Sequence, residues 1–305
     1  MRKYGLPYNG NKSTIADFVI EHLPAADVLV DLFCGGCAVT HAALLSGKWN
    51  RIIANDIHGD VPQLFLDSIN GKYTTETEHR WISREDFFSL KDTDAYVRLC
   101  WSFGNVGATY MYGREVEPVK HIVHDVVFSD SALDRMRALR KLLRVIQENG
   151  IVPSEKLESL QSLERLQSLE RLQSLERLQR LERLESLQRL ETSGKDYRDV
   201  LIPDGSVIYC DIPYQSADKR CYGVTFDHIA FLDWACKQNN PVIISEYSID
   251  DARFKVVAET QKIQLSAGAK HQKKVTERLY CPAWQYESIM SRLKGGEANN
   301  ANIRA

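Results

Sequence analysis

Apolar and polar positions follow a regular order over the first sixty residues. Ser13 to Leu23 places apolar residues at helical spacing, and Pro24 closes the segment, which predicts a helix. Val28-Leu29-Val30-Asp31-Leu32-Phe33 runs into Gly35-Gly36, the pattern of a buried parallel strand entering a tight turn. Val39 to Ser46 reads as the next helix and Arg51 to Ile57 as the next strand, with Asp56 near its carboxyl end. Two strands around a helix make a right-handed crossover unit. The same alternation returns late in the chain. Ser206 to Cys210 is a strand leading into Asp211, Asp227 to Cys236 a helix, Pro241 to Glu246 a strand, and Glu277 to Cys281 a further strand. The tail from Gly295 is polar and expected to be mobile.

Between the two α/β stretches the pattern changes. Trp101 to Gly113 is rich in aromatics and glycine, and Asp134 to Arg144 is a basic amphipathic helix. Ser-Leu-Glu-Arg-Leu-Gln then occurs three times in tandem from Ser162, and leucine recurs at every third position from Leu157 to Leu190. The residue types favour helix. A step of three falls about 60° short of a full α-helical turn, so the leucines spiral around the rod about every 27 Å. A coiled-coil seam would instead follow a supercoil pitch of about 150 Å. The segment is expected to be an α-helix touching different neighbours along its length, with local tightening to 3₁₀ as the other outcome. Two readings of its role stand side by side: a spacer or homo-oligomer element, and a tolerated expansion of a repeated coding segment. The expected fold class is α/β, a Rossmann-like sheet with an inserted, mainly helical region. The bounds are 1–72 for the first part of the sheet domain, 73–199 for the insertion, 200–294 for the second part and 295–305 for the tail.

Composition narrows the setting. The chain has 305 residues, 44% of them hydrophobic and 26% charged, which suits a soluble globular protein. A net charge of -2 does not exclude a nucleic-acid partner, because a local basic face suffices. No long apolar span or secretory segment is present, so a cytoplasmic protein without membrane contact is expected. Seven scattered cysteines fit a reducing compartment. Cys34 and Cys37 have metal-ligand spacing, but no second pair completes a set, and no metal is expected.

The candidate chemistry centres on Asp211-Ile212-Pro213-Tyr214. An aromatic exocyclic amine is a poor nucleophile because its lone pair is delocalised into the ring. A carboxylate accepting one N–H and a carbonyl accepting the other would localise that pair. Asp211 supplies the first acceptor and the Ile212 carbonyl the second, while Pro213 stiffens the turn. Tyr214 offers a face on which an extruded base can stack. In an open α/β sheet, ligands bind beyond the carboxyl ends of the strands. Gly35 and Gly36 allow close backbone approach there, and Asp56 is placed to accept ribose hydroxyls. Joined, these blocks suggest methyl transfer from S-adenosylmethionine to an amino group on a base.

These residues resemble the adenine-N6 DNA methyltransferases of the class that includes the bacterial and phage GATC methylases. Tyr8 to Ser13 resembles the YxGxK block, Asp31 to Cys37 the F-x-G-x-G block, Asn55-Asp56-Ile57 the acidic ribose block, and Tyr209 to Tyr214 the DPPY block; Ser245-Glu246-Tyr247 and Thr276 to Leu279 resemble the later strands. The resemblance implies S-adenosylmethionine as cofactor, held by Tyr8, Lys12, Phe33, Gly35, Asp56 and Asp211. It implies Asp211, Pro213 and Tyr214 as the catalytic block, and target recognition in the insertion, in a restriction-modification setting. Two positions depart from the pattern: Ile212 stands for the first proline and Cys37 for the last glycine.

Double-stranded DNA is the expected partner. Its contacts are expected from Arg135, Arg137, Arg140, Lys141 and Arg144, and from Lys273 and Lys274. Tyr110 and Arg114 are further candidates in the aromatic stretch, where a wedge into the base stack and plain packing are both open. Two other functions compete with this one. One is methylation of RNA or another amine. The other is a non-catalytic DNA-binding or assembly protein in which Ile212 and Cys37 mark a decayed site.

Overall fold

The computed structural model describes residues 4–148, 167–178, 189–214, 226–264 and 273–303. The described residues form two units. The first comprises residues up to Leu6, Gly10–Leu66 and the chain from Arg180 onward; the second comprises Pro7–Asn9 and Asp67–Gln179.

The first unit is built on strands β1 (Val28–Asp31), β2 (Arg51–Asn55), β3 (Leu190–Ser193), β4 (Val207–Cys210), β5 (Val242–Glu246), β6 (Phe254–Gln264) and β7 (Lys273–Pro282). They make one sheet in the order β3-β2-β1-β4-β5-β7-β6. The first five are parallel, and β7 runs antiparallel between β5 and β6. The strand order reverses between β1 and β4, which leaves a crevice beyond their carboxyl ends. Every residue of β1, β4 and β5 is buried, as expected of strands covered on both faces. Helices α1 (Ala16–Glu21), α2 (Ala38–Ser46), α9 (His228–Cys236) and α10 (Tyr286–Ile303) belong to this unit, and α3 (Asp60–Ile69) ends where the chain passes into the second. One core cluster joins Val30, Ile53, Ile208, Ile212, Phe231 and Ile244.

The strands and helices expected on either side of the insertion are present, with ends shifted by a few residues. Two strands escape the hydrophobic pattern. β3 lies inside the stretch assigned to the insertion, and Leu190, the last leucine in step with the repeat, is its first residue. Parallel pairing of Ile52 with Leu190 through Asn55 with Ser193 decides its conformation, where local periodicity had suggested helix. β6 is long and largely polar because it borders the sheet. α10 continues to Ile303, past the point where composition suggests that ordered structure ends. Gly59 and Gly194 bring the turns after β2 and β3 together. A Cβ on Gly59 would stand 2.5 Å from the Gly194 Cα, so the approach admits no side chain.

The second unit contains α4 (Arg84–Leu90), α5 (Ala95–Cys100), α6 (Glu117–Phe128), α7 (Ala132–Glu148) and α8 (Gln167–Glu176). Ser83 starts α4 with a capping box shared with Asp86. Most aromatics of the stretch are interior, while Phe103 is exposed. Trp101, Tyr110 and Tyr112 are buried, Trp81 stacks on Tyr112 and meets Trp101 edge-on, and the Tyr110 hydroxyl donates to the Ile82 carbonyl at 2.6 Å. Tyr110 is a core residue, packed among these rings.

Of the leucine repeat, residues 167–178 and the final two, 189 and 190, lie within the described residues, and the rest lies outside them. The stretch 167–178 is α-helical to Glu176 and tightens to 3₁₀ at Arg177–Leu178. Ser168, Leu172 and Leu175 are buried at the i, i+4, i+7 spacing of an ordinary helix face. Arg171, one of the repeated arginines, donates to the carbonyls of Cys100 at 2.8 Å and Ser102 at 2.7 Å, closing the end of α5. At least one copy of the repeat is therefore structural.

Replacing Gly59 by alanine forces two backbones apart. It should lower unfolding free energy by about 1–3 kcal/mol, seen as a lower urea midpoint at unchanged slope. Arg171→Met leaves buried carbonyls without their donor and should lose about 1–3 kcal/mol in the same assay.

Candidate active site

The site grows from the carboxyl edge of β1, β2 and β4. Asp31 ends β1, and its carboxylate accepts from the Thr40 backbone N–H at 3.1 Å and the Thr40 hydroxyl at 2.6 Å. These bonds tie the strand to α2 across the glycine turn. Its second oxygen, Oδ1, is buried without a partner. Burial pushes the Asp31 carboxyl up to about 7, with the Asp211 charge adding to the rise and Thr40 opposing it.

The turn itself is held from two sides. The Gly35 N–H donates to Asp56 Oδ2 at 3.0 Å, and the His58 N–H donates to Asp56 Oδ1 at 2.9 Å. The Leu6 N–H donates to the Gly36 carbonyl at 2.7 Å, and the Gly5 N–H donates to His41 Nδ1 at 3.0 Å. A Cβ on Gly5 would stand 2.4 Å from the Gly36 carbonyl oxygen, so the N-terminal segment lies directly on the turn. Burial depresses His41 to about 4, which keeps its ring neutral and able to accept that bond. Asn55, the last residue of β2, completes the edge. Its amide donates to the Leu32 and Lys195 carbonyls and accepts the Lys195 N–H, joining the turns after β1 and β3. Cys37 is fully buried with φ 57° and ψ 33°, a left-handed conformation that glycine adopts without steric cost. That conformation is the physical content of the glycine expected at this position.

Across the crevice, Asp211 follows β4 directly. Lys12 hydrogen-bonds its Oδ1; the lysine side chain is 4% exposed and the aspartate side chain 20%. Burial pushes Asp211 above the ordinary carboxylate range, and the Lys12 ammonium holds back part of the rise. Ile212 is buried in the main core cluster, and the Pro213 carbonyl lies 2.7 Å from His228 Nε2. The Tyr214 ring lies 4.4 Å from the Tyr247 ring, with the Lys12 ammonium 4.6 Å from its centroid. Its hydroxyl donates to Glu277 at 2.5 Å.

Four side chains here were given no site role from sequence: Ser245, Tyr247 and Glu277 were expected only within later strands, and Lys262 was not singled out. Glu277 on β7 is enclosed and also accepts the Ser245 hydroxyl at 2.6 Å. Lys262 on β6 forms an ion pair with it at 2.6 Å, and Tyr247 follows β5. Burial raises Glu277, yet Lys12, Lys262 and the Ser245 hydroxyl outweigh that and hold it below the ordinary range. Charged residues inside strands were the available signal; pairing partners so distant in sequence gave none.

Among the expected cofactor residues, Gly35 and Asp56 meet directly, and Lys12 and Asp211 do the same. Phe33 sits among the rings of Tyr197, Phe226 and Phe231. Tyr8 belongs to the second unit. Arg135, Arg137, Arg140, Lys141 and Arg144 are all exposed on α7, although Arg137 pairs with Asp134 and Arg135 bonds the Ser129 carbonyl. Arg114 is exposed and lines an open groove with Trp81, Arg84 and His121. Lys274 is exposed on β7, where Lys273 begins the strand.

The D12 class N6 adenine-specific DNA methyltransferase family matches residues 8–263, which include the glycine turn, Asp56 and the Asp211–Tyr214 block. The chain belongs to this family. It is thus an enzyme of adenine-N6 methylation in DNA, and the seven-stranded sheet is its Rossmann-like methyltransferase fold. The comparison with curated proteins gave no match. Among the described residues, no helix is long and apolar enough to cross a membrane.

Asp31 gives this methyltransferase a pH-dependent stability. Its native carboxyl keeps a proton to about pH 7, whereas the unfolded side chain releases it near 3.8. The stabilisation is full below pH 4 and is lost as pH rises through 7. Asp31→Asn places an amide at the partnerless oxygen and removes this titration. The mutant's stability relative to wild type should therefore rise by about 3 kcal/mol from pH 4 to 7 and level off above, as read by urea unfolding at each pH.

Proposed function

We propose that this chain transfers a methyl group from S-adenosylmethionine to N6 of an adenine extruded from double-stranded DNA. The observation that carries the proposal is the meeting of the two sequence blocks at the reversal of strand order. The glycine turn leaves β1 and Asp211 leaves β4, and these strands are neighbours in the sheet. The residues suit a nucleoside cofactor carrying an amino-acid group. Asp56 has acceptor capacity left beside its two backbone donors, Gly35 and Gly36 present bare backbone, and Asp31 has a buried oxygen without a partner. When bound, S-adenosylmethionine supplies an electrophilic methyl group on a sulfonium.

The chain's own residues prepare the amine. Asp211 accepts one N6–H, and the Ile212 carbonyl accepts the other. The Lys12 ammonium beside Asp211 opposes the burial that raises its carboxyl, and so favours the acceptor form. The Tyr214 ring gives the extruded base a surface to stack on, and its hydroxyl is already fixed by Glu277. Phosphate contacts come from the exposed cations of α7, with Arg114 and Lys274 as further candidates.

The test is expression in a methylation-free host, followed by single-molecule sequencing that detects N6-methyladenine. Wild type should mark one short motif. Asp211→Ala should reduce the rate by at least about 100-fold while the protein stays folded by circular dichroism. Full activity in that variant would remove Asp211 from the mechanism. Unmodified DNA from folded wild type would favour a decayed site.

A further inference from the structure

The site contains more charge than the preparation of an amine requires. Two ammoniums, Lys12 and Lys262, lie with two carboxylates, Asp211 and Glu277, around the Tyr214 ring. Lys12 bonds Asp211 and lies 3.7 Å from Glu277; Lys262 lies 2.6 Å from the other Glu277 oxygen. The formal charges of these four groups sum to zero, and Asp31 and Asp56 lie at the glycine turn across the crevice. Glu246 is buried nearby with one partnerless oxygen, and burial pushes it up to about 7, so it adds at most a fractional negative charge near neutral pH. Glu277 therefore neutralises a lysine that would otherwise leave the cluster net positive. It lies beyond residue 263, where the family match ends.

We propose that Glu277 is a positioning and charge-balancing residue of the methyl-donor site, offsetting the Lys12 and Lys262 ammoniums so that a cofactor with a fixed positive charge is accepted beside Asp211. The inference rests on the reading that S-adenosylmethionine is the donor. That molecule carries a sulfonium, whereas its demethylated product, S-adenosylhomocysteine, is a neutral thioether of nearly the same shape. A positive excess in the site penalises the first and leaves the second almost untouched. Damage to packing would weaken both alike. The affinity ratio of the two ligands therefore separates an electrostatic role from a merely structural one.

The experiment is isothermal titration of the full chain with each ligand separately. Glu277→Gln keeps the side-chain shape and should raise the ratio of S-adenosylmethionine Kd to S-adenosylhomocysteine Kd by about tenfold. Lys262→Met removes a positive charge and should shift the ratio the opposite way. The double variant should return it close to wild type. An equal loss for both ligands in Glu277→Gln, or an unchanged ratio, overturns the proposal. Should Glu277→Gln fail to fold, Lys262→Met alone decides, because an unchanged ratio there overturns it as well. Wild type binding neither ligand would refute the donor assignment itself, an outcome distinct from the others.

Discussion

Burying a carboxylate at the carboxyl edge of a parallel sheet is unfavourable, and at Asp211 this protein depends on one lysine to make it tolerable. Lys12 is almost fully enclosed, yet it is the direct partner of Asp211 and lies within reach of Glu277. Removing one partner of such a pair leaves a charge without compensation, which is far more destabilising than never having built the pair. The segment around Lys12 is consequently held tightly. It must hold Lys12 in the site, and the contacts around it do so. The Leu6 N–H bonds to the Gly36 carbonyl, the Ser13 hydroxyl accepts the Tyr4 N–H at 2.8 Å, and the Asn11 amide donates to the Leu6 carbonyl at 2.8 Å. The segment that supplies the counter-ion thus also braces the glycine turn.

How much of this was legible in the sequence depends on how local the physics was. The turn at Gly35-Gly36 and the block Asp211–Tyr214 were readable because their chemistry is contained in a few consecutive residues. Their meeting was readable too, since an open sheet gathers its functional groups at carboxyl ends. Glu277 and Lys262 were not, because their meaning arises only when β6 and β7 fold back beside β5. The strand at Leu190 was concealed by a leucine register that runs through it without a break. Its identity comes from pairing with β2, which no local period encodes. At Tyr110 the sequence left contact surface and packing open, and the burial of its ring against Phe87 and Tyr112 appears only in the fold.

The leucine repeat shows how a sequence of wrong period can still be used. A threefold step drifts steadily around an α-helix, so no long stripe can form. From Leu172 to Leu178 the drift is about 120°, the width of one buried helix face, so Leu172, Leu175 and Leu178 are all buried, with the Ser168 and Tyr112 hydroxyl oxygens 3.2 Å apart. The repeated arginine then finds carbonyls at the end of α5. A short window of the repeat satisfies one neighbour, and only that window has to match.

The two departures from the family pattern differ in physical kind. Cys37 occupies a left-handed position, where a Cβ costs about 1–2 kcal/mol relative to glycine. Its burial against Cys34, with sulfurs 3.7 Å apart, returns part of that through packing. Ile212 carries no such conformational strain. A proline there would stiffen the loop through its ring, whereas isoleucine anchors it by placing a branched side chain in the core beside Phe231 and Ile244. The next carbonyl is held by His228. Rigidity of this loop is therefore supplied from below the sheet edge instead of from within the loop, and the carbonyl proposed to accept from the amine belongs to residue 212 whichever side chain it bears.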